Sequence, residues 1–178
     1  MPGAPVAAVT LGFAQHQVSA PREGFGYLVP SAEDCPVLGV LQAEQIYRGY
    51  RAPEGCCVMQ VFMGGGRSPD LVHGEEEELI ALALEELGST LGVRGAPLVS
   101  QVTRHSSGIP QYVLGHQDRV ARVEALAARH HGLRLCGSGL RGPGMDALVR
   151  DAVVTARAVA DDLRGAGGAP LLCAASGS

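Results

Sequence analysis

One run near the end of the sequence, Leu133-Arg-Leu-Cys-Gly-Ser-Gly-Leu-Arg-Gly-Pro-Gly-Met-Asp146, constrains the fold of this chain more than any other. Its apolar start, Leu133 to Cys136, reads as a short strand that breaks into glycines and then opens a long amphipathic helix. From Met145 the apolar residues fall at Met145, Leu148, Val149, Ala152, Ala156, Val159, Ala160 and Leu163. That is a helical period, so one face is expected to be buried and the rest wet. Gly142, Pro143 and Gly144 lie just ahead of the helix, where the first N–H groups have no intrahelical partner and the positive end of the macrodipole points outward. Such an end attracts phosphate, carboxylate or an electron-rich ring carbonyl. Gly137 and Gly139 would let a ligand approach the main chain, since no Cβ stands in the way. Glycines between a strand and a helix also serve ordinary α/β connections, and spacing alone leaves both readings open.

Upstream, the pattern changes to short apolar segments separated by turn residues. Val6 to Phe13, Gly24 to Pro30, Val37 to Gln42 and Cys56 to Met63 read as strands about 15 residues apart, which suggests an antiparallel sheet. A helix is expected from Glu75, whose run of glutamates complements the macrodipole and needs no metal to explain it. Ile80, Ala83, Leu84, Leu87 and Leu91 would form its buried stripe, and Gly92 its end. Pro97 to Thr103 reads as a further strand and Ile109 to His116 as an extended lead into a helix at about Asp118 to His130. That helix would turn Val120, Val123, Leu126 and Ala127 inward and stop at Gly132. The fold class expected is α+β: an antiparallel lobe over 1–116 with one helix, a helix-strand-helix piece over 117–164, and a frayed tail over 165–178.

Composition narrows the functions. With 178 residues, 46% hydrophobic and 18% charged, the chain is globular and large enough for a substantial core. Its net charge of -4, its scattered arginines and its lack of an aromatic platform argue against nucleic acid as a partner. Cys35, Cys56, Cys57, Cys136 and Cys173 have no zinc-like spacing and are expected to be reduced thiols in the cytosol. The uncharged first 20 residues carry no leading Arg or Lys, and Gln15, His16 and Gln17 interrupt them, so neither a signal peptide nor a membrane helix is expected. The six histidines show no metal-ligand pattern and the serines no nucleophile elbow, so neither a metal site nor a catalytic residue can be assigned.

Several segments, taken in order, resemble a known family. Gly24-Phe-Gly-Tyr-Leu-Val-Pro30, Leu38-Gly39, Arg51-Ala-Pro-Glu-Gly55 leading to Phe62-Met-Gly-Gly65, Ile109-Pro-Gln-Tyr112 with Gly115-His116, and Gly137 with Arg141-Gly-Pro-Gly144 are similar to the C-terminal portion of oxygen-dependent protoporphyrinogen oxidase. The likeness covers roughly residues 5 to 164. It implies an FAD-dependent oxidoreductase of haem biosynthesis that converts protoporphyrinogen IX to protoporphyrin IX with oxygen. It also implies that 1–116 belongs to a substrate-binding lobe and 117–164 to the last piece of an FAD-binding lobe. By the same resemblance, Gly137 and Ser138 would lie near the cofactor's phosphate and ribitol region, and Gly142, Gly144 and Met145 at the pyrimidine edge of the flavin. Ile109, Gln111 and Tyr112 would face the porphyrinogen. The sequence departs from the family in having Ser138 where an Asn is usual and Leu140 at a tyrosine-like position. It also contains no early glycine turn of the dinucleotide-binding type. The expected partner is accordingly a separate N-terminal FAD-binding half or a second copy, the alternative being a noncatalytic porphyrin- or protein-binding remnant of the fold.

Overall fold

The computed structural model describes residues 2–20, 24–47 and 49–165; the tail expected over 165–178 falls, from residue 166 on, outside them. The described chain divides into two compact units, Pro2–Ile109 and a second from Pro110 onward.

The first unit is built on strands β1 (Gly3–Ala14), β2 (Gly26–Leu28), β3 (Val37–Gln42), β4 (Cys56–Gly64) and β5 (Val99–Pro110). They form one sheet in the order β2-β3-β4-β1-β5. The pairs β1–β4, β3–β4 and β2–β3 are antiparallel, with Val9 opposite Val61 and Leu11 opposite Met59. Directly opposed residues share a face. Val9, Leu11 and Phe13 of β1 and Cys57, Met59, Val61 and Met63 of β4 therefore point the same way, and all are fully buried. Helix α2 (Glu76–Leu91) closes this core with Leu79, Ala83, Leu87 and Leu91. Ile80 and Leu84, expected in the stripe, pack half-buried at its margin. Gly92 ends α2 in the left-handed region at φ 61°, where a side chain is strained. A one-turn helix α1 (Ala43–Ile46) follows β3.

Two details depart from the expected pattern. The strand expected over Gly24 to Pro30 shortens to Gly26–Leu28, held because Gly26 at φ 134° lets β2 come so close to β3 that a Cβ would sit 1.9 Å from the Val40 carbonyl oxygen. The segment expected as a strand over Pro97 to Thr103 begins later and runs through Pro110, as the edge strand beside β1.

The second unit contains α3 (His116–Ala127), α4 (Ser138–Arg141) and α5 (Met145–Gly165). Here two expectations fail. Leu133 to Cys136 is not a strand, because no described segment of the chain pairs with it. Nor is any face of α5 buried: Met145, Val149 and Leu163 are exposed, as are Val123 and Leu126 of α3, while Ala127 alone of that inward set is buried. Both failures have one cause, since a strand and an amphipathic helix each need a neighbour to satisfy them. No helix among the described residues is long and apolar enough to cross a membrane.

Candidate functional site

The glycine turn 137–144 lies in the second unit, between the irregular segment 133–136 and α5. Gly137 has φ 134° and Gly142 φ 129°, conformations that side chains rarely adopt. A Cβ on Gly142 would meet the Ala147 methyl at 2.8 Å, whereas one on Gly137 or Gly144 would meet nothing within 4 Å. The main chain at Gly137 and Gly144 thus faces open space that a ligand could occupy. Gly144 accepts the Leu148 amide through its carbonyl, beginning the hydrogen-bond ladder of α5, and Met145 is 77% exposed at the helix start.

Two polar clusters hold the turn from opposite ends. Asp151 on α5 accepts the Gly137 amide at 3.1 Å through Oδ2 and the Arg141 guanidinium at 2.6 Å through Oδ1. The side chain of Asp151 is only 8% exposed, so its charge is matched where water is scarce. Arg141 also pairs with Glu124 of α3 and donates to the Leu135 carbonyl at 3.3 Å. The hydrogen bond to Glu124 and the pairing with Asp151 raise the Arg141 pKa above the ordinary guanidinium value. At the other end, the Tyr112 hydroxyl donates to the Ser138 carbonyl at 2.5 Å and accepts the Gly142 amide at 2.6 Å. Its ring stacks on His116, centroids 4.0 Å apart.

His116 completes the clasp. Its Nε2 lies 3.1 Å from the Leu140 carbonyl, and since a carbonyl can only accept, Nε2 carries the proton. Nδ1 is buried and has no hydrogen-bond partner among the described residues. Of the expected site residues, the structure therefore brings Tyr112 onto the turn that holds Gly137, Ser138, Gly142, Gly144 and Met145. Gln111 is half-buried one residue before Tyr112, while Ile109, 41% exposed, belongs to β5 in the first unit. His116, Glu124, Arg141 and Asp151 were not among the expected cofactor or substrate residues. Arg150 and Asp151 fall outside the apolar stripe of α5, and a polar helix face predicts solvated pairing. Arg150 follows that rule with exposed Asp146, and Asp151 does not.

Among proteins of known name, the chain is 28% identical over 141 residues to coproporphyrinogen III oxidase of Bacillus subtilis, a match covering 79% of this chain and 30% of that protein. It is 35% identical over 131 residues to coproporphyrinogen III oxidase of Propionibacterium freudenreichii, covering 73% and 24% respectively. The chloroplastic protoporphyrinogen oxidase of Nicotiana tabacum is 28% identical over 165 residues, covering 87% and 30%. A crystal structure from Exiguobacterium, of a protein provisionally described as a protoporphyrinogen oxidase, superposes with a TM-score of 0.70 at 27% identity, over 90% of this chain and 35% of that one. The chain thus spans about a third or less of the length of these relatives. No protein-family profile matches it.

Proposed function

We propose, from the premise that this chain belongs to the coproporphyrinogen and protoporphyrinogen oxidase family as a partial chain, that it works as one part of an FAD-dependent porphyrinogen oxidase. FAD, when bound, would take electrons from the porphyrinogen and pass them to oxygen. The observation that carries the reading is the turn 137–144: a clasped, glycine-lined approach to the N-terminus of a 21-residue helix. The residues present fit one edge of a flavin. At Gly137 and Gly144 the space that a Cβ would fill is open, Met145 begins the helix beside them, and the helix end would favour negative charge on an adjacent ring carbonyl.

The chain's own residues would bind and orient. The Ser138 carbonyl and the Gly142 amide are tied to Tyr112, so the turn would present its shape to the cofactor with little reorganisation. In the first unit, Thr10, Leu41, Val58 and Phe62 lie on the sheet face opposite the α2 core, half-buried and mostly apolar. That face suits a porphyrinogen ring system. Protoporphyrinogen IX is the substrate the resemblance implies; two of the relatives above are named for coproporphyrinogen III, and a side-by-side assay would separate the two. The free thiols Cys35, Cys56, Cys57 and Cys136 suit a soluble, cytoplasmic chain.

The test is the visible spectrum of the full chain after gel filtration with FAD, alone and mixed with the part of the Bacillus subtilis relative that lies outside the matched 141 residues. Flavin retained only in the mixture, followed by porphyrinogen oxidation, is the expected result. Absence of flavin from both samples would overturn the reading and leave the noncatalytic remnant as the better account.

A further inference from the structure

We propose that Gln60, with Thr10 beside it, reads the oxidation state of a tetrapyrrole laid on the sheet face opposite α2, binding the reduced macrocycle through its pyrrole N–H groups in preference to the aromatic product. The proposal rests on the reading of that face as the porphyrinogen surface and names the residues that would recognise the ring. β4 is the middle strand of the sheet, and Gln60 is the middle residue of β4. Leu41 of β3 and Thr10 of β1 stand directly opposite it, while Val58 and Phe62 share its face along the strand. The Gln60 side chain donates through Nε2 to the Thr10 hydroxyl at 3.4 Å. Its Oε1 accepts no hydrogen bond among the described residues. Nor is that oxygen sealed inside, since the buried side-chain atoms left without a partner belong to Gln42 and His116. The centre of a half-buried, mostly apolar face thus holds an accessible acceptor with nothing to accept.

The chemistry around that acceptor selects the ligand. An anion would need a positive charge beside it and a cation a carboxylate, and the side chains flanking Gln60 are Leu41, Val58, Phe62 and neutral Thr10. A neutral N–H donor carried on a broad apolar body satisfies the amide oxygen and covers the apolar residues around it. A porphyrinogen has this form. All four of its pyrroles carry N–H, and the saturated carbons between them let each pyrrole tilt, so that an N–H can point out of the ring toward the sheet. The aromatic product is flat. It keeps two N–H groups, which lie in the ring plane and point at the ring centre, and its other two nitrogens carry lone pairs. A flat ring stacked on this face therefore covers Oε1 without giving it a donor, and a buried acceptor left unmet opposes binding. One side-chain oxygen would thus favour capture of the substrate and release of the product.

The test is binding of coproporphyrinogen III, coproporphyrin III and nickel coproporphyrin III to the full chain. Ultrafiltration without oxygen separates bound from free ligand, and the porphyrinogen is oxidised afterwards to be counted by its fluorescence. The expected result is a porphyrinogen held about fivefold or more tighter than either aromatic ring, the worth of one neutral hydrogen bond. Gln60→Met keeps the length of the side chain and removes the acceptor, so it should weaken the porphyrinogen alone and bring the three affinities together. Thr10→Val removes the hydroxyl that holds the amide and should narrow the gap in part. Amide exchange in α2 reports that both variants remain folded. In the unaltered chain, proton NMR should show pyrrole N–H signals of the bound porphyrinogen moved downfield, a reading that needs no substitution. Equal affinities in the unaltered chain, a preference that survives Gln60→Met, or no tetrapyrrole bound at all overturns the proposal. Flavin retention and porphyrinogen oxidation in the mixed sample, with a preference that ignores Gln60, would overturn it and leave the oxidase reading standing. A preference that depends on Gln60 with no flavin retained would support it and sink the oxidase reading.

Discussion

Replacing Tyr112 by Phe isolates the contribution of one hydroxyl to the candidate site. The ring and its stacking on His116 remain, and only two hydrogen bonds are lost, to the Ser138 carbonyl and from the Gly142 amide. A hydrogen bond of this kind is worth about 1 kcal/mol net, because water competes for the same groups. Tyr112 is 40% exposed, so water reaches the vacated positions and the summed loss should be about 1–2 kcal/mol, far below the strength of two bonds in an apolar medium. That corresponds to an increase of about 5- to 30-fold in the population of the open turn. Amide exchange read by NMR should show Gly142 accelerated by this factor, while the Leu87 amide of α2, in the other unit, keeps its rate. In a flavin-loaded complex the affinity for FAD should fall by a similar factor. An unchanged Gly142 rate would refute the idea that the hydroxyl holds the turn. Acceleration spread evenly over the second unit would mean that Tyr112 supports its packing instead.

Three further outcomes follow from the same structure. Leu87→Ala removes a fully buried side chain between α2 and the sheet and should destabilise the first unit by about 2–5 kcal/mol in urea unfolding; a loss below 1 kcal/mol would mean that the helix is not the lid of the core. Asp151→Asn should lower stability by about 1–3 kcal/mol, since it removes a buried charge that Arg141 and the Gly137 amide both match and leaves Arg141 only Glu124 as an acidic partner, whereas Asp146→Asn at an exposed pair should change it by roughly 0.5 kcal/mol or less. Equal thermal shifts for the two would contradict the assigned difference. Burial raises the pKa of Tyr27, which hydrogen-bonds Glu86 and Thr90, and also that of Cys35, which donates to Glu86 with Arg67 nearby. Both groups therefore hold their protons longer when folded. Stability from them is complete below about pH 8.5, where free thiols begin to ionise, and is lost as pH climbs toward the raised folded values. Urea midpoints at pH 8 and pH 10.5 should show this fall, and Tyr27→Phe should reduce it; a midpoint that rises with pH would reverse the sign.

The first unit was legible in the sequence because its elements satisfy one another. Alternation along Cys57, Met59, Val61 and Met63 and the helical stripe of Leu79, Ala83, Leu87 and Leu91 each point at the other, so local pattern and tertiary burial agree. The α2 stripe was misread by one position, Ile80 for Leu79, since an Ile and a Leu adjacent on a helix flank the same groove and composition cannot rank them. β2 was overestimated because Gly24 to Pro30 looks continuous as a string, while the approach allowed by Gly26 at the Val40 carbonyl holds only the middle of it in the ladder.

In the second unit the turn was legible and its supports were not. Glycines at 137, 142 and 144 carry a local conformational meaning that any single sequence displays. Asp151, fourteen residues from Gly137, acquires its meaning only when α5 folds back over the turn, and Tyr112 lies thirty residues from the amide it accepts. No short-range pattern encodes such pairs. The misplaced strand at 133–136 is different in kind. The residues there have strand character, and α5 has the amphipathic stripe of a helix that covers a sheet, yet among the described residues nothing pairs with the one or buries the other. Local preference and tertiary context disagree in the same unit and in the same sense, each asking for a layer beside it. In a self-sufficient domain such conflicts tend to be scattered and compensated. Two that share one missing neighbour have one explanation, a layer contributed from outside the described residues, in place of two independent defects.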